Sequence, residues 1–114
     1  MIQIIRTTVS LEELKKLSEE WSGELVKAVV DVERNIVAIA GEMHADEEQV
    51  LLEDGSKQED LWGINIYPNK DKENRIEFDS MINVRPGQQN MSRSVEDSKL
   101  QKTIRSIVDH MIVN

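Results

Sequence analysis

The clearest pattern in the chain lies between Leu61 and Pro86. The runs Leu61-Trp-Gly-Ile-Asn-Ile-Tyr67 and Arg75-Ile-Glu-Phe-Asp-Ser-Met-Ile-Asn-Val-Arg85 both alternate at period two, as strands do when one face is buried and the other wet. Trp62, Ile64 and Ile66 share one side of the first run, and Gly63, Asn65 and Tyr67 the other. In the second run Ile76, Phe78, Ile82 and Val84 alternate with Glu77, Asp79, Asn83 and Arg85. The expected wet face is therefore dense in hydrogen-bonding groups.

Strand patterning also covers residues 2–6, 25–34 and 36–44. Val26, Ala28, Val30 and Val32 form one face of the 25–34 run, and Lys27, Val29, Asp31 and Glu33 the other. The 36–44 run begins apolar on both faces, which predicts an interior strand. Elsewhere the spacing is helical. Ser10 and Glu13 make a capping box ahead of Leu11, Leu14, Leu17 and Trp21, with Gly23 as the stop. Membership of that stripe predicts a core position for Trp21. Asp46 and Gln49 open a second helix that Gly55 ends, and Ser94 or Asp97 caps a third. In that last helix Leu100, Ile104, Ile107, Val108 and Met111 form one apolar stripe. The order β-α-β-β-α-β-β-α predicts one α+β domain over 1–114, in two layers, with a mostly antiparallel sheet and the helices on one face.

Composition narrows the function classes. The chain has 114 residues, enough for one cored domain. There are no cysteines, so disulfides and thiolate metal sites are excluded. Acidic residues outnumber basic ones by 22 to 14, for a formal charge of −8, and the cations are scattered. Such a chain is repelled by phosphate backbones, so no nucleic-acid partner is expected. No run of 18 apolar residues is present, so no membrane span is expected, and residues 1–6 lack a signal-peptide pattern. A cytoplasmic, soluble protein is the expectation, with homo-oligomerisation left open and no cofactor implied.

Antiparallel pairing of the two strands would set Leu61 beside Arg85 and bring the neighbouring loops together. One loop carries Lys57, and the other carries Arg93 and runs into a helix N-terminus, where free N–H groups favour an anion. Lys57, Asn65, Asn83, Arg85 and Arg93, with His44 if its strand ends there too, are the candidate residues for a small anionic ligand. The plain alternative is that these polar groups satisfy loop backbone. Glu42, His44 and Asp46 would suit a divalent cation in type, but their spacing matches no ligand motif, and no metal is expected. An enzyme acting on a phosphorylated or carboxylated metabolite is the second function class, although no nucleophile–base pair stands out. An acidic protein-interaction module is the third, on the Glu12/Glu13/Glu19/Glu20 face or the Asp71–Asn74 turn.

Four polar runs carry a family resemblance: Gly41-Glu-Met-His-Ala-Asp46, Gly55-Ser-Lys-Gln-Glu-Asp-Leu-Trp-Gly-Ile-Asn-Ile-Tyr67, Ile76-Glu-Phe-Asp-Ser-Met-Ile-Asn83, and Ser92-Arg93 with Val95-Glu-Asp97. They resemble a family of small prokaryotic proteins classed as a domain of unknown function. The resemblance spans nearly the whole chain and implies no reaction, cofactor or partner.

Overall fold

The computed structural model describes residues 1–21 and 23–114. Its elements are β1 (Gln3–Ile5), β2 (Val9–Ser10), α1 (Leu11–Trp21), β3 (Val26–Asp31), β4 (Ile36–Ile39), α2 (His44–Glu53), β5 (Leu61–Ile66), β6 (Ile76–Glu77), α3 (Ser98–Met111) and β7 (Ile112–Val113). Five strands make one antiparallel sheet in the order β1-β4-β3-β5-β6. The α+β class and the interior place of β4 follow the sequence pattern.

The helices do not all share one face. Val26, Ala28, Val30, Val37, Ile39, Trp62, Ile64 and Ile66 pack in one cluster with Leu14 of α1 and Ile104, Val108 and Met111 of α3. Val29, Ile36, Ala38 and Leu61 lie on the opposite face and pack with Leu51 of α2. The domain thus has three layers. The cause is visible in β4, whose side chains are apolar on both faces, and in Val29 of β3 beside it, so the sheet must be covered on both sides.

The helix signals act as expected at most termini. Ser10 Oγ accepts from Glu13 N at 3.1 Å, and Asp97 Oδ1 accepts from Lys99 N at 2.9 Å. Gly23 and Gly55 take φ of +79° and +107°, the left-handed region that stops a helix. Trp21 corrects the expected stripe, because it is 54% exposed. It stands on the last residue of α1, and Leu14 and Ser18 are the buried positions instead.

Two strand boundaries also move. β4 stops at Ile39 because Ala40, with φ of +72°, turns the chain out of the sheet. His44 then opens α2 rather than closing a strand. β6 is two residues long, after which residues 80–83 cross back over the sheet. There Asn83 replaces the ladder: its Oδ1 accepts from Gly63 N at 2.8 Å, and its Nδ2 donates to Gly63 O at 2.9 Å. Gly63 makes the crossing possible, since a Cβ there would sit 2.6 Å from the Ser80 side chain. A second, parallel pair joins β2 to β7. Two residues per strand are too few for a periodic signal.

Candidate functional site

The two ends of β3 divide the polar chemistry. At the Asp31 end Asp31, Arg34, Asp54 and Ser56 face one another. Asp31 is fully buried, accepts from Glu33 N and Arg34 N at 2.9 Å each, and accepts from Ser56 Oγ at 2.6 Å. Arg34 bonds Ser56 and Asp54, and Arg6 also bonds Asp54. The two guanidiniums hold the Asp54 carboxyl below its ordinary range. Lys57 belongs to this end, in a cleft with Glu33, Arg34, Gly55, Glu59 and Asp60. Arg85 is half-buried on the same flank. It stacks over the Trp62 ring at 4.7 Å and donates to the carbonyls of Gln58, Leu61 and Ile82. Burial lowers its pKa, with Glu48 at 3.5 Å opposing. Leu61 and Arg85 are neighbours as the sequence suggested, through a side chain rather than a ladder.

The Lys27 end is different. Four residues of strand separate it from Asp31, roughly 13 Å at the usual rise. Here a cleft of about 160 Å³ is lined by Lys27, Met43, His44, Ala45, Ser80, Met81, Ile82 and Arg93. Lys27 comes from β3, His44 from the first turn of α2, and Arg93 from the loop before α3. Asn83 sets the position of Arg93, because Asn83 Nδ2 donates to Arg93 O at 3.0 Å, while Ser80 N donates to the same carbonyl. Arg93 Nε pairs with Asp79 at 2.7 Å, with both side chains about half exposed. Such exposed pairs are worth about 0.2–1 kcal/mol, so the guanidinium is easily drawn to another anion. Among the described residues Lys27 has no hydrogen-bonding or ion-pair partner. Lysine so placed beneath a helix start, in a chain of net charge −8, is the unusual feature of the site.

His44 lies within 2.7 Å of Ile64 O through Nε2. A carbonyl only accepts, so Nε2 carries the hydrogen and Nδ1 keeps its lone pair in the neutral ring. Burial lowers the His44 pKa, opposed by the Ile64 bond and reinforced by Lys27 and Arg93. The imidazole is therefore neutral at pH 7. Met43 is the N-cap residue ahead of α2, and its side chain caps nothing. The N–H groups of His44 and Ala45 thus lack both an intrahelical and a capping acceptor, which is the usual state of an uncapped first turn.

Glu47 lies one turn further along α2 and is fully buried. Its Oε2 accepts from Gly41 N at 3.0 Å, and its Oε1 has no partner among the described residues. Burial raises its pKa to about 9, against the Gly41 bond and the Lys27 charge, so the carboxyl keeps its proton at pH 7. Asn65 stands beside Lys27 in the ladder. Its Nδ2 donates to Glu77 at 2.8 Å, and its buried Oδ1 is unpartnered among the described residues.

Of the six residues expected from sequence, His44 and Arg93 share this cleft, and Asn65 adjoins it through Lys27. Lys57 lines another cleft at the far end, and Asn83 and Arg85 bond to main chain as scaffold. Bringing Lys57 and Arg93 together would need a ladder running to Arg85. The chain leaves the ladder at Glu77, and Arg93 follows it to mid-sheet. Lys27, Ser80 and Glu47 were missed. A signal for Lys27 existed: it is a cation inside the apolar strand run Leu25-Val-Lys-Ala-Val-Val30. His44, Glu47 and Leu51 fall at i, i+3, i+7, a spacing visible only once α2 is started at His44. Glu42 and Asp46 are exposed, and among the described residues no group of three or more His, Asp or Glu is placed to hold a metal ion.

A family model described as "Protein of unknown function (DUF5674)" matches residues 3–111. No curated protein and no solved structure matches the chain. No helix among the described residues is long and apolar enough to cross a membrane.

Proposed function

The chain belongs to the DUF5674 family of proteins of unknown function, and we propose that it binds a small anionic ligand in the Lys27–His44–Arg93 cleft, as a cytoplasmic protein. The observation that carries this is Lys27, a cation with no partner among the described residues, lining one cleft with Arg93 and the uncapped start of α2. Two cations and a helix N-terminus stabilise one negative group by charge-assisted bonds. The volume sets the scale. About 160 Å³ admits a phosphate, sulfate or carboxylate group, well short of the roughly 300 Å³ of a drug-sized site.

The test is thermal stability against millimolar sulfate, phosphate and acetate, for wild type, Lys27→Met, Arg93→Ala and Lys57→Ala. Sulfate and phosphate stabilise many proteins by exclusion from the surface, so the readout is the difference between variants. Wild type and Lys57→Ala should shift alike, and Lys27→Met and Arg93→Ala should shift less. With sulfate, whose charge is constant over this range, the specific shift should be larger near pH 5.5 than near pH 8. An anion beside His44 favours its charged form, so binding takes up a proton. Equal shifts in all four proteins would reject the site.

His44 supports a second reading, an enzyme acting on a phosphorylated or carboxylated metabolite. Its neutral ring lines the cleft, with Nδ1 free of any bond among the described residues, as a general base requires. Turnover of a bound acid that is lost in His44→Gln, with binding retained, separates this reading from simple binding.

A further inference from the structure

We propose that the anion held by the Lys27–Arg93 cleft is the head group of an amphipathic acid, whose apolar body lies between Met43 and Met81. This rests on the anion-binding reading above and goes on to name the ligand class.

The cleft is not uniformly polar. Its cations, Lys27 and Arg93, come from β3 and the loop before α3, while its rim carries Met43 at the start of α2 and Met81 on the crossing segment. Met43 is 58% exposed and Met81 66%. They are two of the few large apolar side chains left open to water, they come from separate elements, and they flank the same cleft. Ala45 and half-buried Ile82 complete the apolar lining. Exposed apolar residues scattered singly carry no meaning, but two methionines converging on a cationic hole are a different matter. Methionine has three rotatable bonds and a polarisable sulfur, so it closes over apolar groups of varied shape.

The charge pattern fixes the orientation. Lys27, Arg93 and the α2 N-terminus draw the anion inward, and the size of the cleft leaves the remainder of a larger acid outside, against the methionines. A bare inorganic anion would use the first half of this surface and leave the second half wet. A neutral apolar molecule would use the second half and leave Lys27 unpaired. An acid with a short alkyl or aryl tail uses both.

The probes are acetate and hexanoate, with phosphate and phenyl phosphate as a second pair, titrated calorimetrically into wild type, Met43→Ala, Met81→Ala, Trp21→Ala and Lys27→Met. Each methylene that is fully buried tightens binding about fourfold. With a half-open rim, hexanoate should bind wild type at least about tenfold more tightly than acetate. Met43→Ala and Met81→Ala should lose most of that gain while binding acetate as wild type does, and both changes are at exposed positions that leave the core alone. Lys27→Met should weaken both acids. Trp21 borders a neighbouring cleft that shares Lys27 and is otherwise lined by Leu25, Val26, Ala40, Gly41 and Glu42, so Trp21→Ala asks whether the tail lies on that side of Lys27 instead, and it should bind all probes as wild type does. Equal affinity for acetate and hexanoate would overturn the amphipathic ligand and leave the anion site standing. A gain that follows Trp21 and not the methionines would overturn it too. If no probe binds at all, the anion reading fails with it.

Discussion

Glu47 shows how much chemistry a single side chain can hide. It lies on an inward stripe of α2 between His44 and Leu51, and its buried carboxyl serves Gly41, whose N–H has left the sheet at the Ala40 turn. Gly41 has to be glycine here, because a Cβ would sit 2.7 Å from Glu47 Cγ. The folded pKa of Glu47 stands near 9 against an ordinary 4.5. Below pH 4.5 both folded and unfolded chains hold the proton, and nothing is lost. Above it the unfolded chain releases the proton and the folded one does not, so stability falls with rising pH until the folded group ionises. At about 1.4 kcal/mol per pH unit, the loss between pH 4 and pH 7 is on the order of 3 kcal/mol. Glu47→Gln has no proton to release. Its stability relative to wild type should therefore rise by about that amount between pH 4 and pH 7 in urea denaturation. A constant difference across the range would mean that Glu47 is ionised in the fold. His44 acts in the opposite sense: its lowered pKa removes stability as pH falls below about 6.5. At this scale the sequence was partly legible. Asn83 was singled out as a candidate ligand-binding residue, but alternation cannot tell a side chain facing water from one facing bare backbone. Its four hydrogen-bonding contacts to Gly63, Arg93 and Asn90 are all internal, three through the side chain and Gly63 counted on both N and O, with Asn90 bonded to its carbonyl.

At the scale of elements, α2 matters most, because it places His44, Glu47 and the cleft's rim together. Its first residue is preceded by Met43 in extended conformation, with φ of −132° and ψ of 146°, the geometry of an N-cap but without a capping side chain. Asp at this position would accept from the first free amides and suit the helix dipole. Met43→Asp should raise stability by about 1 kcal/mol. The same carboxylate would stand where the ligand's charge belongs, so the variant should lose the wild-type shift with sulfate. A stabilised variant that still responds to sulfate like wild type would remove the start of α2 from the site. Stability and binding would then be opposed at one residue, the trade-off expected of a functional position. Helices α1 and α3 were legible because eleven and fourteen residues repeat a stripe often enough to be read. The start of α2 was not, since Met43 offers no capping signal and Asp46 offers a false one. β6 was overread for a related reason: the alternation from Ile76 to Val84 continues through a segment whose backbone has already left the sheet.

For the whole molecule, the question that the proposed site raises is how a chain of charge −8 would attract an anion at all. The cations are distributed so that the net field and the local field differ in sign. Arg6, Arg34, Arg85 and Arg93 each pair with a carboxylate, whereas Lys27 has no ion pair among the described residues and lines a walled cleft, where it would act at short range. A small anion approaching through solvent at physiological salt feels the distant acids only weakly, because screening reduces them beyond about 8 Å. A polyanion cannot make the same approach. It presents many phosphates at once to a surface that is mostly acidic, and only one of them reaches the cleft. Duplex DNA and duplex RNA should therefore not bind appreciably at physiological salt, while sulfate or an organic acid should. Fluorescence anisotropy with a labelled random duplex, run at about 50 mM and 150 mM salt, checks this directly. Micromolar affinity that falls steeply between the two salts would show that the scattered lysines make a phosphate-tracking face. In that event the Lys27 cleft would be one contact of a larger nucleic-acid surface, and Lys27→Met would lower the salt slope by about one. Absence of duplex binding together with a Lys27-dependent sulfate shift is the outcome that a local cation in a negative protein requires.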